Sequence, residues 1–177
     1  MRLTTKEIAV FGMLGGVIFA SKIIMECLPN IHLVGAFIVA LTVVYRQKAL
    51  YPIYVFVFLI GLLNGFSTWW IPYLYIWLPL WAVTMILPKK MNAKAKLPIY
   101  CGVSALHGLL YGTLYAPFQA ICFGLGFKGM LAWIVAGLPW DALHAGGNLV
   151  TGLLIVPLIN LFEVCNKALD MEMPGEA

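Results

Sequence analysis

Residues 137–157, GLPWDALHAGGNLVTGLLIVP, are apolar enough to form a membrane helix, yet they include an acid, an imidazole and an amide. On a helix that rises 1.5 Å per residue, Asp141, His144 and Asn148 occupy an arc of about 60° and extend over about 10 Å of depth. Ionisable side chains within a membrane are costly and usually face one another or a water-filled cavity. The stretch therefore predicts a polar site enclosed by apolar helices.

The composition of the whole chain indicates an integral membrane protein. Of its 177 residues, 63% are hydrophobic and only 10% are charged, and the mean hydropathy is +0.95. A soluble domain cannot hide that much apolar surface in one core, so lipid must solvate much of it. At roughly 20 residues a crossing, there is room for about six helices with short loops in one domain, residues 1–177. The first apolar run resembles a signal peptide, but the remainder of the chain is equally hydrophobic, so this run is interpreted as the first span.

Apolar runs predict six spans, at about residues 6–27, 32–45, 49–66, 71–87, 97–116 and 139–162. The second has only about 14 residues, so it should be a short or partly sheltered helix. Pro117 should close the fifth span, and Pro139 suits the first turn of the sixth because its missing N–H costs nothing there. Residues 117–138 then form an external, Gly-rich segment with short helical stretches. The expected fold is an all-α integral membrane protein, a compact bundle of six transmembrane helices.

The basic residues predict the orientation of this bundle. Most of the basic residues lie on one side of the six predicted spans: Arg2, Lys6, Arg46, Lys48, Lys89, Lys90, Lys94, Lys96 and Lys167. Lys128 lies on the other side, and Lys22 lies within the first span. By the positive-inside rule, both termini are cytoplasmic. The aromatic residues Trp69, Trp70 and Tyr73 then lie at the outer interface, either as an aromatic belt or as part of a ligand site.

The first span adds ionisable groups at the same depth, because Lys22 and Glu26 are spaced i,i+4 near its external end. Each polar residue also has a structural explanation. Lys22 and Glu26 can pair, Asp141 can stabilise a helix start, His144 can be a bonded core histidine, and Asn148 can join helices. Their common depth favours a pocket open to the outside, which residues 117–138 cover with Phe118, Phe123 and Trp133. The predicted substrate-binding residues are Lys22, Glu26, His32, Asn64, Trp69, Trp70, Tyr73, Trp140, Asp141, His144 and Asn148, with Asn30 and Gln119 also at the rim.

The remaining residues of interest are a stripe of small residues on the first span, one further histidine and four cysteines. Gly12, Gly16 and Ala20 are spaced by four and form a stripe suited to close helix contact, either within the bundle or with a partner subunit. His107 lies beside Gly108 and is interpreted as a packing residue. Four cysteines, Cys27, Cys101, Cys122 and Cys165, form no C-x-x-C pair, so no metal site is expected; a disulfide between Cys27 and Cys122 stays possible.

Three stretches resemble the substrate-binding S components of energy-coupling factor (ECF) vitamin transporters. They are TTKEIAVFGMLGGVIFASKIIMECLPNIHLVGAFIVALTVVYRQKALYPIY at 4–54, WWIPYLYIW at 69–77 and LPWDALHAGGNLVTGLLIVP at 138–157, and the resemblance covers nearly the whole chain. It implies a compact six-helix protein that captures a vitamin or related micronutrient outside a prokaryotic cell membrane. It also implies two kinds of partner, a transmembrane coupling (T) subunit and two cytoplasmic ATPases.

The resemblance also assigns roles within the chain. ATP would be bound by the partner ATPases, and the sequence indeed has no G-x-x-x-x-G-K-[ST] motif. The family contacts its coupling subunit through A-x-x-x-A on the first helix, and the matching positions are Gly12 and Gly16, with Ala20; glycine keeps the small-residue character but departs from the motif. Nickel and cobalt members have a histidine-rich N-terminus, and MRLTTKE has none, which argues against a metal substrate.

Two other functions stay open. Asp141 and His144 could act as acid and base in a small intramembrane enzyme, although no G-x-S-x-G or H-E-x-x-H accompanies them. A ligand-free assembly subunit is the third alternative. Abundant aromatic residues with mixed charges suit a ring-bearing, polar, water-soluble compound such as a vitamin, a cofactor precursor or a modified nucleobase. No cofactor, no catalytic residue of a known motif and no nucleic-acid partner are expected.

Overall fold

The computed structural model describes residues 3–88 and 91–171, and within these ranges the regular structure is helical, without strands. The helices are α1 (Thr5–Ile24), α2 (Val34–Tyr45), α3 (Leu50–Asn64), α4 (Tyr73–Ile76), α5 (Leu78–Ile86), α6 (Ala93–Leu109), α7 (Tyr111–Cys122), α8 (Phe127–Thr151) and α9 (Ile155–Ala168). Short 3-10 turns span Arg46–Ala49, Thr68–Trp70 and Gly152–Leu154. The all-helical prediction is therefore confirmed for the described residues.

Among the described residues, five helical stretches are long and apolar enough to cross a membrane, as a multi-pass membrane protein requires. They are Thr5–Ile24, Val34–Asn64, Thr68–Ile86, Ala93–Cys122 and Phe127–Ala168. The second combines α2 and α3, which are separated by Arg46 with a φ of 54°. A left-handed backbone conformation ends a helix, so this stretch changes direction there rather than continuing as one rod.

The packing of α1 shows how α2 and α3 are arranged. Gly15 of α1 lies against α3, where an added Cβ would be 2.5 Å from Cβ of Val55. Lys48, in the 3-10 turn just before α3, pairs with Glu7 at the start of α1. These two helices therefore run in the same direction. Tyr45, at the end of α2, packs edge-on against Phe11 near the start of α1, with ring centroids 5.1 Å apart. Helix α2 thus runs opposite to both.

Helix α2 is the core of the bundle, and every residue in it except Val43 is buried. It packs against α5 and α9, and the Tyr45 hydroxyl donates to Oδ1 of Asn166 at 2.9 Å. The prediction of a short, sheltered helix at this position is confirmed. Shelter by neighbouring helices explains how such an apolar segment of 12 residues is accommodated without spanning lipid unaided.

The predicted helix ends at two prolines are wrong. Pro117 lies inside α7 and Pro139 lies inside α8, which begins at Phe127. Most of residues 117–138 therefore belong to two antiparallel helices joined by a turn, with Gly124 at a φ of 63°, and not to a loop with short helical stretches. Prolines are tolerated within membrane helices because neighbouring helices and local adjustments satisfy the freed carbonyls.

Three glycines bring α6 and α7 close to α8 and to the 3-10 turn that follows it. A Cβ added at Gly152 would lie 2.9 Å from Sγ of Cys101. A Cβ added at Gly108 would lie 2.8 Å from Nδ2 of Asn148, and one added at Gly112 would lie 2.5 Å from Oδ2 of Asp141. Glycine at these positions lets the two backbones approach closely, as is common between membrane helices. The close approach brings the polar face of α8 directly against α6 and α7.

The two ends of the described chain lie together. The Lys6 amine donates to the Leu169 carbonyl at 3.1 Å, and Lys48 lies at the same end because it pairs with Glu7. Arg2, Lys89 and Lys90, on which the predicted orientation partly depends, lie outside the described residues.

Candidate functional site

Asp141, His144 and Asn148 face the interior of the bundle, with side chains only 5%, 2% and 1% exposed. The predicted common inward face is therefore confirmed. Asp141 lies well inside α8, because that helix begins at Phe127. The alternative role of Asp141 as an acid at a helix start is therefore wrong.

Asp141 joins α8 to the start of α7. Its Oδ1 accepts a hydrogen bond from the Gly112 backbone N–H at 2.9 Å, in the first turn of α7, where amides lack intrahelical acceptors. Its second oxygen, Oδ2, is buried and has no hydrogen-bond partner among the described residues. The carboxyl group is thus positioned through one oxygen while the other stays available.

Asn148 and His107 repeat this arrangement. Nδ2 of Asn148 donates to the Ser104 carbonyl at 3.0 Å and joins α8 to α6, which is the structural role considered for it. Nε2 of His107 bonds the Ile76 carbonyl at 2.8 Å and joins α6 to α4. The remaining polar atoms, Oδ1 of Asn148 and Nδ1 of His107, are buried without a partner within the described ranges. Each side chain is therefore held at one atom and offers another.

All three histidines of the chain belong to one group of rings, named here the ring cluster: His32, Trp77, His107, Tyr111 and His144. His32 lies 4.9 Å from His144 and 6.2 Å from Trp77, measured between ring centroids. Tyr111 lies 4.8 Å from His144 and 5.9 Å from Trp77, which closes a loop of four rings. His107 packs on this loop, 5.6 Å from Trp77 and 6.1 Å from Tyr111.

Unpartnered polar atoms concentrate in and beside the ring cluster. Among the residues that the structure describes, the buried side-chain atoms without a hydrogen bond are His32 Nδ1, Trp77 Nε1, Ser104 Oγ, His107 Nδ1, Asp141 Oδ2, His144 Nε2, Asn148 Oδ1 and Thr151 Oγ1. Burying one such group costs about 1–3 kcal/mol, and native proteins keep few of them. Such a concentration in one place is typical of a site that receives polar groups from outside the chain.

His32 precedes α2 and lies outside the helical stretches that are long enough to span a membrane. Burial, together with the neighbouring His144 and Lys22, lowers the pKa of His32 to about 3. The His32 imidazole is therefore neutral at physiological pH. A neutral ring has one donor and one acceptor nitrogen, so it can complement either kind of ligand group.

Two further predicted residues lie next to the ring cluster. Tyr73 packs edge-on against Trp77 at 5.7 Å, and Trp69 packs on Tyr73 at 5.6 Å. The Tyr115 hydroxyl donates to the Trp69 carbonyl at 2.7 Å, which ties α7 to this aromatic stack. Trp69 and Tyr73 therefore form one edge of the site, in contact with the α7–α8 hairpin.

Other predicted residues lie away from the ring cluster. The Trp140 side chain is 57% exposed and points out of the bundle, although it is adjacent to Asp141. Asn64 is also exposed. Trp70 has a structural role, because its Nε1 donates to the Val57 carbonyl at 2.8 Å and its ring packs on Phe66. Of the expected covering residues, Phe123 is exposed, whereas Trp133 stacks on Tyr115 at 6.2 Å.

The shared helical face predicted for Lys22 and Glu26 is wrong, and so is the alternative in which the two side chains pair. Helix α1 ends at Ile24, so the two residues do not share a helical face, and Glu26 is exposed. Within the described part of the chain, the ion pair present joins Lys48 to Glu7. Lys22 is half-buried, and its charge reaches His32, so it lies at the α1 side of the site.

Trp77, Tyr111 and Ser104 were not predicted, and His107 was interpreted as packing. A spacing signal was present for most of them. Trp69, Tyr73 and Trp77 recur every four residues, as do His107, Tyr111 and Tyr115, so each set forms a stripe on one helical face. Two aromatic stripes, each with polar ring atoms, indicate facing walls of a site once both are recognised.

Two expectations concern chemical groups of the site: the absence of a metal site, and the alternative that Asp141 and His144 form an acid–base pair of an enzyme. The described residues include no group of three His, Cys, Asp or Glu side chains that could hold a metal ion, and the four cysteines are free thiols. Hydrogen bonds of Asp141 and His144 within the described ranges do not join the two side chains, so no acid–base pair is preformed.

Comparisons of the chain with protein-family models, curated proteins and solved structures find no match.

Proposed function

We propose that this chain is the substrate-binding membrane subunit of an importer similar to ECF vitamin transporters, and that the ring cluster binds a water-soluble, ring-bearing micronutrient. One observation carries the proposal. Asp141, Asn148 and His107 are each anchored through one atom and offer a second, buried, unpartnered atom beside a set of aromatic rings. Small-molecule sites combine apolar and aromatic walls with a few well-placed polar groups in this way.

The proposed topology has six crossings, because the stretch Val34–Asn64 changes direction at Arg46 and contributes two of them. The contact between Lys6 and Leu169 puts both described chain ends at the end of the bundle that also holds Lys48. By the positive-inside rule that end is cytoplasmic, and so are both termini. The ring cluster lies toward the opposite end, where His32 follows α1, so ligand enters from outside.

Ligand entry requires the ring cluster to open. Its neighbouring rings are 4.8 to 6.2 Å apart around the loop, whereas a ligand ring inserted between two others needs roughly 7 Å, twice the van der Waals distance. Two hydrogen bonds hold the α7–α8 hairpin over the site. The Tyr115 hydroxyl donates to the Trp69 carbonyl, and the Tyr75 hydroxyl donates to the Leu114 carbonyl. We expect these two bonds to break when ligand enters.

The proposed contact with a coupling subunit uses the outer face of α1. A Cβ added at Gly12 or Gly16 would meet nothing within 4 Å, and Ala20 is exposed, so these residues do not serve packing within the described bundle. Gly15 has that role instead. The outer stripe is free to contact a transmembrane T subunit, which with two ATPases would supply the energy for import across a prokaryotic cell membrane.

The decisive experiment identifies the compound that co-purifies with the protein. The wild-type chain and Asp141→Asn are purified in mild detergent, denatured, and their extracts compared by mass spectrometry. Glu163→Gln, which removes an exposed carboxylate from α9, is the matched control. We expect a ring compound in the wild type and the control and less of it in Asp141→Asn. Equal amounts in all three would refute a site at Asp141.

Uptake measurements test the transport role separately. Cells that express the chain without a coupling module should bind the identified compound at their surface but not accumulate it, because the sequence has no nucleotide-binding motif. ATP-dependent accumulation by the chain alone in proteoliposomes would contradict the proposal. Chemical conversion of the compound by the purified chain would instead support the enzyme alternative.

A further inference from the structure

We infer that the part of the ligand that enters the ring cluster is a hydrogen-bond-donating, positively charged nitrogen group, such as a protonated amidine or an aminated heterocycle. This inference rests on the proposed binding function and specifies its substrate class. It depends on which atoms of the site can only accept hydrogen bonds.

His107 presents an acceptor. A backbone carbonyl has no proton to donate, so the 2.8 Å contact between Nε2 of His107 and the Ile76 carbonyl requires the proton to be on Nε2. In a neutral imidazole the other nitrogen is then an acceptor, and Nδ1 of His107 is the buried atom without a partner. A ligand atom that meets it must donate.

Asn148 and Asp141 present acceptors for the same reason. The Ser104 carbonyl takes a hydrogen bond from Asn148, which identifies the bonded atom as Nδ2 and leaves the carbonyl oxygen Oδ1 unpartnered. The Gly112 N–H donates to Oδ1 of Asp141 and leaves Oδ2 of the carboxylate unpartnered. Three anchored side chains thus each offer an acceptor.

Fixed donors are fewer. Among the unpartnered atoms of the described chain, Trp77 Nε1 can only donate, whereas His32 Nδ1, His144 Nε2 and the hydroxyls of Ser104 and Thr151 can take either role. Three fixed acceptors against one fixed donor favour a ligand group that donates hydrogen bonds. An anionic ligand group would leave these acceptors unpaired and would face the Asp141 carboxylate.

Charge and ring faces favour the same ligand. Asp141 is 5% exposed, and a cationic group beside it would offset the cost of burying its charge. The rings of Trp77 and Tyr111 add attraction for a cation that approaches their faces. On the α1 side the charge of Lys22 reaches His32, so the cationic group is assigned to the Asp141 end of the cluster and not to the His32 end.

Three matched probes test the inference: benzamidine, which is cationic at neutral pH, neutral benzamide and anionic benzoate. They share one ring and differ in charge and donor number. Thermal denaturation of the ligand-free, detergent-solubilised full chain is measured against millimolar concentrations of each probe. We expect benzamidine to raise Tm by mass action, benzamide to act weakly, and benzoate to have no effect.

With Asp141→Asn, about tenfold to hundredfold more benzamidine should be needed for the same rise in Tm. The substitution removes the charge of a charge-assisted hydrogen bond but keeps an acceptor for the Gly112 N–H. Glu163→Gln should respond like the wild type. A response of Asp141→Asn equal to that of the wild type would overturn the inference. So would stabilisation of the wild type by benzoate as strong as that by benzamidine, a comparison that needs no variant to fold.

Mass spectrometry separates failure of the inference from failure of the binding function. A co-purifying compound that is anionic and has no ring nitrogen donors would overturn the inference and leave the binding function standing. The absence of any co-purifying compound, together with no response to the three probes, would overturn both. A co-purifying protonated nitrogen heterocycle whose retention depends on Asp141 would support both.

Discussion

Gly112→Ala probes the contact on which the site geometry depends. An added methyl group would lie 2.5 Å from Oδ2 and 3.0 Å from Oδ1 of Asp141, much closer than carbon and oxygen atoms approach in folded proteins. The carboxyl group must therefore shift, and we expect it to lose its bond to the Gly112 N–H.

The expected magnitude combines two costs. Loss of a hydrogen bond to a charged group costs about 1.5–3 kcal/mol, and overpacking costs roughly 1–3 kcal/mol, partly offset by a helix-propensity gain of up to about 1 kcal/mol for Ala over Gly. We expect a net destabilisation of about 1.5–6 kcal/mol and a decrease in Tm on the order of 10 °C. Ligand affinity should fall as well, since Asp141 no longer presents Oδ2 at its original position.

Gly16→Ala is the matched control, because a Cβ at Gly16 meets nothing within 4 Å. Its Tm should equal or slightly exceed that of the wild type through the same propensity gain. Both variants are measured by thermal denaturation in detergent and by titration with the identified ligand. If Gly112→Ala melts with the wild type and binds equally well, the close contact between Gly112 and Asp141 does not support the site.

Other substitutions test the binding residues, the outer face of α1 and the buried histidine. Asp141→Ala and Asn148→Ala should each weaken ligand binding by roughly 1–3 kcal/mol, about tenfold to hundredfold, with a normal size-exclusion profile; calorimetry showing unchanged affinity in both would move the site elsewhere. Gly16→Leu should reduce co-purification with the coupling subunit and leave ligand affinity unchanged, and normal stoichiometry would contradict a docking role. The pKa of His32, about 3 in the fold, is below its unfolded value of 6.5, so the unfolded state binds more protons between these values. Stability should therefore be greatest above pH 6.5 and fall as the pH decreases toward 3, and melting curves of His32→Gln should show a shallower decrease; equal slopes would contradict this role of His32.

Local properties of the sequence account for the predictions that were confirmed. Helicity and the presence of helices long and apolar enough to cross a membrane follow from composition and apolar run length, which do not depend on how the helices pack. The inward face of Asp141, His144 and Asn148 follows from helical periodicity alone, and their side chains are indeed buried. The sheltered state of α2 followed from its length, because a helix that short cannot cross lipid unaided.

The errors occurred where packing between helices overrides local preference. Proline normally marks a helix boundary, but Pro117 and Pro139 lie within α7 and α8, which pack against each other. Spacing by four suggested a shared face for Lys22 and Glu26, but α1 ends between them. The start of α8 could not be read from local pattern, because most of the stability of a helix within a protein comes from tertiary packing rather than from local propensity.

By itself, the sequence determined a helical protein whose helices are long and apolar enough to cross a membrane, with a polar face on one of them, since composition and periodicity are local quantities. Only the tertiary structure decided which residues meet that face. The ring cluster joins side chains from the α1–α2 connection, α6, α7, α8 and the link between α4 and α5, and Gly15 rather than Gly12 or Gly16 packs inside the bundle. The reason is physical: several helix faces are equally apolar, and the choice among them depends on the fit of small residues, rings and hydrogen bonds across helices rather than on hydrophobicity.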